Sequence, residues 1–233
     1  MLEVKGLVAG YAGSEVLHGI DLVVKDAEGV IVLGPNGHGK STLLRAITGL
    51  LPPRAGQVLL DGKDITRWRP DLIAAAGMVH IPQGDLLFPE MTVTENLLMG
   101  AYHGPTWATR QSRLGRVYEL FPWLKERGSQ LTRTLSGGER RMLALGRGLM
   151  SNAKLLLIDE PSLGLAPLIT QQIYASIQTV KASGIALLLA DENANHVEGL
   201  ADRVYLLETG QLVREGPAAE LLQDKALLES YLG

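Results

Sequence analysis

The chain has 233 residues, 46% of them hydrophobic, enough to bury a full core as one large domain or two small ones. A net charge of −3 without any block of like charges argues against a nucleic-acid-binding arm, and the lack of cysteine excludes disulfides and thiolate metal sites and fits the cytosol. The stretch from Met1 to Lys5 predicts no signal peptide, and the longest apolar runs, Leu155 to Ile158 and Ile185 to Ala190, fall far short of the roughly 18 residues a membrane span needs.

Taken in chain order, Val16, His18, Ile20, Leu22 and Val24 recur at period two, which predicts a half-buried antiparallel strand. Val30 to Leu33 is a continuous apolar run suited to a strand buried on both faces. It runs into Gly34-Pro35-Asn36-Gly37-His38-Gly39-Lys40-Ser41-Thr42, with a helix predicted from Lys40 to Thr48. A loop of this pattern turns backbone N–H groups around a β-phosphate, and the helix adds its positive N-terminal end. Lys40 is then expected on the β- and γ-phosphates and the Ser41 hydroxyl on Mg2+, which implies a nucleoside triphosphate. His38 reads as a solvent-facing loop residue. Gln57 to Ile65 predicts a hairpin turning at Asp61-Gly62, and so a small antiparallel sheet near the N-terminus.

Residues 86–152 are dominated by helical spacing and read as a helical subdomain inserted in the core. Thr92 and Glu95 have the spacing of a capping box, and Val117, Leu120, Phe121 and Leu124 form an apolar stripe expected to face the core. Leu135-Ser136-Gly137-Gly138-Glu139 then precedes a helix carrying Met142, Leu143, Leu149 and Met150. The Ser136 hydroxyl, the N–H groups of Gly137 and Gly138 and the helix end make a second anion cradle, suited to a γ-phosphate. Leu155 to Ile158 predicts a buried strand ending in Asp159-Glu160. Asp159 there would hold Mg2+ through water, and Glu160 would orient or deprotonate the attacking water. A helix from Pro167 to Ala182 and a strand from Ile185 to Ala190 complete an α/β pattern around a mostly parallel sheet.

The phosphate loop, the Leu135 to Glu139 signature and the Asp159-Glu160 pair, in this order, resemble the ATP-binding-cassette (ABC) family over essentially the whole chain. The resemblance implies a single domain, residues 1–233, with a RecA-like parallel-sheet core, an N-terminal antiparallel β subdomain and the inserted helical signature subdomain. It implies that Tyr11 stacks on adenine and that Gln83 contacts metal and water where the helical subdomain begins. In this family the signature closes over ATP bound to the opposite subunit, so ATP favours a closed dimer and hydrolysis releases it. Implied partners are a second cassette, identical or related, two membrane permease subunits, and indirectly a solute-binding protein. Nucleic acid is not among them. The implied location is peripheral, on the cytoplasmic face of the inner membrane, with a short permease helix seated in a groove near Gln83 and Phe88.

Asp159 to Pro167, Glu192 to Asn195 and the short length narrow the resemblance to the smaller ATPase subunit of branched-chain amino-acid importers. Leu163-Gly164-Leu165 replaces the Ala-Leu-Asp usual in other branches. Most members carry a γ-phosphate-contacting histidine after the strand ending at Ala190; ten residues before Asp202 lies Glu192 instead, where the branched-chain branch commonly has Gln. His196 reads as a surface helix residue. Gln83-Gly84-Asp85 stands where that branch often has Glu-Gly-Arg. A carboxylate at 192 beside a triphosphate is electrostatically unfavourable. It could take up a proton in the ATP complex, face away, or slow hydrolysis; slowed but real hydrolysis is expected, because Glu160 and the metal ligands are intact. Two rivals stand beside the importer reading. One is a mainly nucleotide-sensing cassette paired with a catalytic relative. The other is a soluble, non-transport ABC protein, disfavoured by the single cassette and the lack of a long coiled coil.

Overall fold

Residues 1–102 and 104–224 are described by the computed structural model; residues 103 and 225–233, part of the domain expected from sequence, lie outside them. The first elements are β1 (Leu2–Tyr11), β2 (Ser14–Val24), β3 (Gly29–Leu33), α1 (Lys40–Ile47), β4 (Ala55–Leu60), β5 (Lys63–Asp64), α2 (Pro70–Ala75) and β6 (Met78–Ile81). An antiparallel sheet, ordered β2-β1-β4-β5, forms near the N-terminus as expected. Asp61 and Gly62 both have positive φ, the geometry a two-residue hairpin requires.

The period-two pattern on β2 holds for Ile20, Leu22 and Val24, which are buried, but not for Val16 and His18. Leu17 takes the core position and His18 is exposed. Leu7 pairs with Ile20 and Val8 with His18, so Gly19, at φ +81°, is an extra residue. That bulge shifts the alternation by one and turns His18 to solvent.

After β6 come α3 (Val93–Met99), α4 (Gly104–Ala108), α5 (Arg110–Leu120), α6 (Pro122–Glu126) and α7 (Gly137–Leu149), all ahead of β7 (Leu155–Asp159). Thr92 caps α3 in a complete capping box with Glu95. The apolar stripe is split between two helices: Pro122 opens α6, and Phe121 before it is extended at φ −132°, ψ 74°. A residue preceding proline avoids the helical region, so the chain breaks there. Val117, Phe121 and Leu124 are nevertheless buried, as expected of core.

The remaining elements are α8 (Pro167–Ala182), β8 (Ala186–Asp191), a 3₁₀ turn at Ala194–His196, β9 (Arg203–Glu208), β10 (Gln211–Pro217) and α9 (Ala218–Leu221). Among the described residues the main sheet runs β10-β9-β3-β8-β7-β6, parallel except for β10. The continuous apolar runs follow from cover on both faces. Ile31, Leu33, Leu156, Ile158, Leu187 and Leu189 pack toward the helical side. Their neighbours Val30, Val32, Leu155, Leu157 and Leu188 pack with α1 and the antiparallel sheet. The carboxyl ends of β3, β7 and β8 thus lie side by side, where open α/β sheets place ligands.

On β6 both His80 ring nitrogens are buried without a hydrogen-bond partner among the described residues. Burial, helped by Arg45, pushes the imidazole down to about 4 from 6.5. A depressed native value means the contribution of neutral His80 is present above about pH 6.5 and lost as pH falls through about 4. His80→Leu should therefore flatten the acid decline of Tm between pH 6.5 and 4; an unchanged Tm profile would contradict this.

Candidate functional site

The loop after β3 is held by close backbone packing: a Cβ on Gly34 would collide with the Leu207 carbonyl of β9. Gly39, at φ +107°, turns the chain into α1. This helix opens with no side-chain cap and no acidic residue in its first turn. Its first N–H groups and positive dipole end are therefore open to an anion. By contrast α3 and α7 both begin with complete capping boxes.

Lys40 is buried, and its ammonium donates to Gly34 O at 2.8 Å and Pro35 O at 3.1 Å and pairs with Glu160 Oε1 at 3.0 Å. Three donors meet three acceptors. Glu160, only 7% exposed, has φ +42°, a left-handed conformation that a non-glycine residue rarely adopts. Its N–H donates to Ala190 O at 3.0 Å, and its Oε2 accepts from Gln83 Nε2 at 3.4 Å. Ser41 Oγ donates to Asp159 Oδ1 at 3.0 Å. Asp159 Oδ2 is buried with no hydrogen-bond partner among the described residues, and burial raises this carboxyl above its ordinary range. An orphaned carboxylate oxygen beside a hydroxyl fits a divalent cation. Both are oxygen donors, the kind a hard cation takes.

The other expected residues fall around this network. Glu192 Oε2 accepts from Asn36 Nδ2 at 2.5 Å, so this side chain faces the phosphate loop rather than away from it. Tyr11 is 42% exposed, and its hydroxyl accepts from Arg45 of α1 at 3.3 Å. His38 is not simply solvent-facing: its Nδ1 accepts from Thr209 N–H at 3.1 Å and its carbonyl from Gly210 N–H at 3.0 Å. The ring and backbone together tie the loop, which includes Gly37 and Thr42, to the β9–β10 turn.

Ser136 is exposed at the start of α7, where its Oγ accepts from Glu139 N–H at 3.4 Å. That leaves the hydroxyl hydrogen and the N–H of Gly137 available to an anion. Gly138 has a packing reason the sequence did not reveal, since a Cβ there would collide with Ile169 of α8. Among the described residues no hydrogen bond joins Ser136 to the phosphate loop.

Asp85 has a definite partner: it pairs with Arg141 at 3.0 Å, while Arg147 donates to Asp85 O at 2.9 Å and Leu86 O at 2.7 Å. The segment after Gln83 is thereby strapped onto α7. His196 is a part-buried member of a 3₁₀ turn and not a surface helix residue; its ring lies 5.2 Å from that of Tyr174. Sequence reasoning missed the pairing of Asp191 with the Tyr174 hydroxyl; no local pattern marks it.

Residues 17–163 match the ABC transporter family. The chain is 41% identical to the high-affinity branched-chain amino acid transport ATP-binding protein BraG of Pseudomonas aeruginosa, over 96% of this chain and 95% of that protein. It is 31% identical to the lipopolysaccharide export system ATP-binding protein LptB of Escherichia coli, over 100% and 97% respectively. It superposes with a TM-score of 0.88 on the crystal structure of the ADP conformation of an ATP-binding cassette of an ABC transporter, at 29% identity and over 100% of this chain and 98% of that one. Sheet, phosphate loop and carboxylate pair define a nucleotide-hydrolysing cassette. The chain belongs to the ABC transporter family, as an ATP-binding subunit that hydrolyses ATP.

Proposed function

We propose that the chain energises import of branched-chain or related amino acids, working in pairs as the peripheral ATPase of a membrane transporter. The observation that carries the catalytic part is the joining of Lys40, Glu160 and Gln83 in one network at the ends of β3 and β7, with the Ser41–Asp159 pair beside it. Lys40, exchanging its Glu160 partner for phosphate, and the N–H groups of the loop after Pro35 bind the phosphates, and Tyr11 offers a ring face to adenine. Ser41 and Asp159, with Gln83, would hold Mg2+, which would supply positive charge against the phosphate oxygens. Glu160 takes the proton of the attacking water. Ser136, Gly137 and Gly138 of a second cassette cover the γ-phosphate.

Among the described residues no helix is long and apolar enough to cross a membrane. Attachment to the cytoplasmic face is assigned to permease chains on the likeness to transporter ATP-binding subunits. A cavity of about 270 Å3 between β6 and α7, lined by Val79, Phe88, Met99 and Arg147, suits a short permease helix. Phe88 is 42% exposed at its rim. Likeness to BraG supports the amino-acid substrate, and the likeness to LptB makes the direction worth testing. The cassette, co-purified with two permease chains and placed in vesicles with a solute-binding protein, should drive ATP-dependent leucine uptake. Absence of uptake with intact ATPase activity would overturn the substrate reading.

The position of Glu192 on Asn36 supports a second reading, a cassette that senses nucleotide more than it hydrolyses. Removing a like charge near the γ-phosphate should raise kcat about fivefold in Glu192→Gln. A Glu192→Gln rate no higher than that of the natural chain would contradict the slowing role. A silent natural chain awakened by Glu192→His would favour the sensing reading.

A further inference from the structure

We infer that Asp191, anchored by Tyr174, is a positioning residue for ATP hydrolysis, holding the backbone that presents residue 192 to the phosphate loop. Asp191 is the last residue of β8 and is almost completely buried. Its Oδ1 accepts the N–H of Glu192 at 2.7 Å and of Asn193 at 3.0 Å. The Tyr174 hydroxyl, on α8, donates to Oδ2. The Asp191 carbonyl accepts from Gly34 N–H at 3.2 Å, so one residue joins α8, the phosphate loop and the segment carrying Glu192.

His196 lies against the Tyr174 ring, and the Glu160 carboxylate opposes a negative charge on Asp191. A cavity of about 340 Å3 borders Glu160, Asp191, Glu192, His196, Thr170 and Leu165. Burial pushes Asp191 up to about 6 in spite of the two N–H groups it accepts. The rest of β8 is apolar, so a carboxyl at its tip is a cost without a packing return. Its return is orientation: the chain reverses from a buried strand to a side chain facing Asn36 within one residue.

The inference rests on residue 192 acting at the γ-phosphate, and the test separates the two. Tyr174→Phe removes one hydroxyl and keeps the ring. Steady-state phosphate release is measured for Tyr174→Phe combined with Glu192→Gln and with Glu192→Ala. In the Glu192→Gln background the loss of one hydrogen bond should lower kcat about three- to tenfold, with KM for ATP within about twofold. In the Glu192→Ala background it should change nothing. Asp191→Asn, which keeps an acceptor for both N–H groups, should recover most of what Asp191→Ala loses. Equal losses in both backgrounds, or no loss in either, would overturn the positioning role. Equal kcat for Glu192→Gln and Glu192→Ala would instead overturn the reading of residue 192 itself, and the inference with it.

Discussion

Glu160→Gln should stop phosphate release almost completely, lowering kcat about a hundredfold or more while ATP still binds. The amide has the shape of the carboxylate and can keep a contact with Gln83, which lies 3.4 Å from the present Oε2. It cannot accept the proton of an attacking water. Lys40 would lose the 3.0 Å partner but keep the carbonyls of Gly34 and Pro35, so the loop stays assembled. The measurement pairs phosphate release with titration of a fluorescent ATP analogue. Hydrolysis above about a tenth of the natural rate would mean that another group activates the water.

Lys40→Ala should act on binding before chemistry. Hydrogen bonds to charged groups contribute about 1.5–3 kcal/mol each, and loss of those from Lys40 to the phosphates should weaken ATP affinity about a hundredfold. A second effect follows from the pairing with Glu160, since both side chains are almost fully buried. Removing one member of a buried pair leaves an uncompensated charge and costs about 3 kcal/mol. The variant should therefore show both weaker nucleotide binding and a lower Tm. In Lys40→Ala combined with Glu160→Gln the Tm should largely recover while affinity stays low. If the double variant melts as low as Lys40→Ala, the buried pair is not the source of the lost stability.

Much of the sheet was legible because both of its faces are covered. The runs at 30–33, 155–158 and 185–190 suited interior strands, and β3, β7 and β8 lie there. The phosphate loop and the Asp159-Glu160 pair were legible because the chemistry needs those residue types in local order. What escaped depends on distant partners. The bulge at Gly19 becomes visible only through the pairing of Leu7 with Ile20 and Val8 with His18. β9 was not anticipated, although Val204 to Leu207 is buried beside β3, because no motif drew attention to that stretch. His38 looked like a loop substitution because Thr209, which donates to it, lies 171 residues away in the chain. Asp191 was overshadowed by its neighbour Glu192, and the hydroxyl that gives it meaning sits on another element.

The central proposal is that ATP is hydrolysed between two cassettes, the phosphate loop of one meeting the Ser136 end of α7 of the other. Specific activity, measured as Mg2+-dependent phosphate release at saturating ATP over a hundredfold range of protein concentration, tests it most directly. The account predicts that activity per chain climbs with concentration toward a plateau, and that Ser136→Arg lowers it while ATP binding to the phosphate loop persists. Activity per chain that is constant over the whole range and indifferent to Ser136→Arg would contradict it, placing hydrolysis within a single cassette.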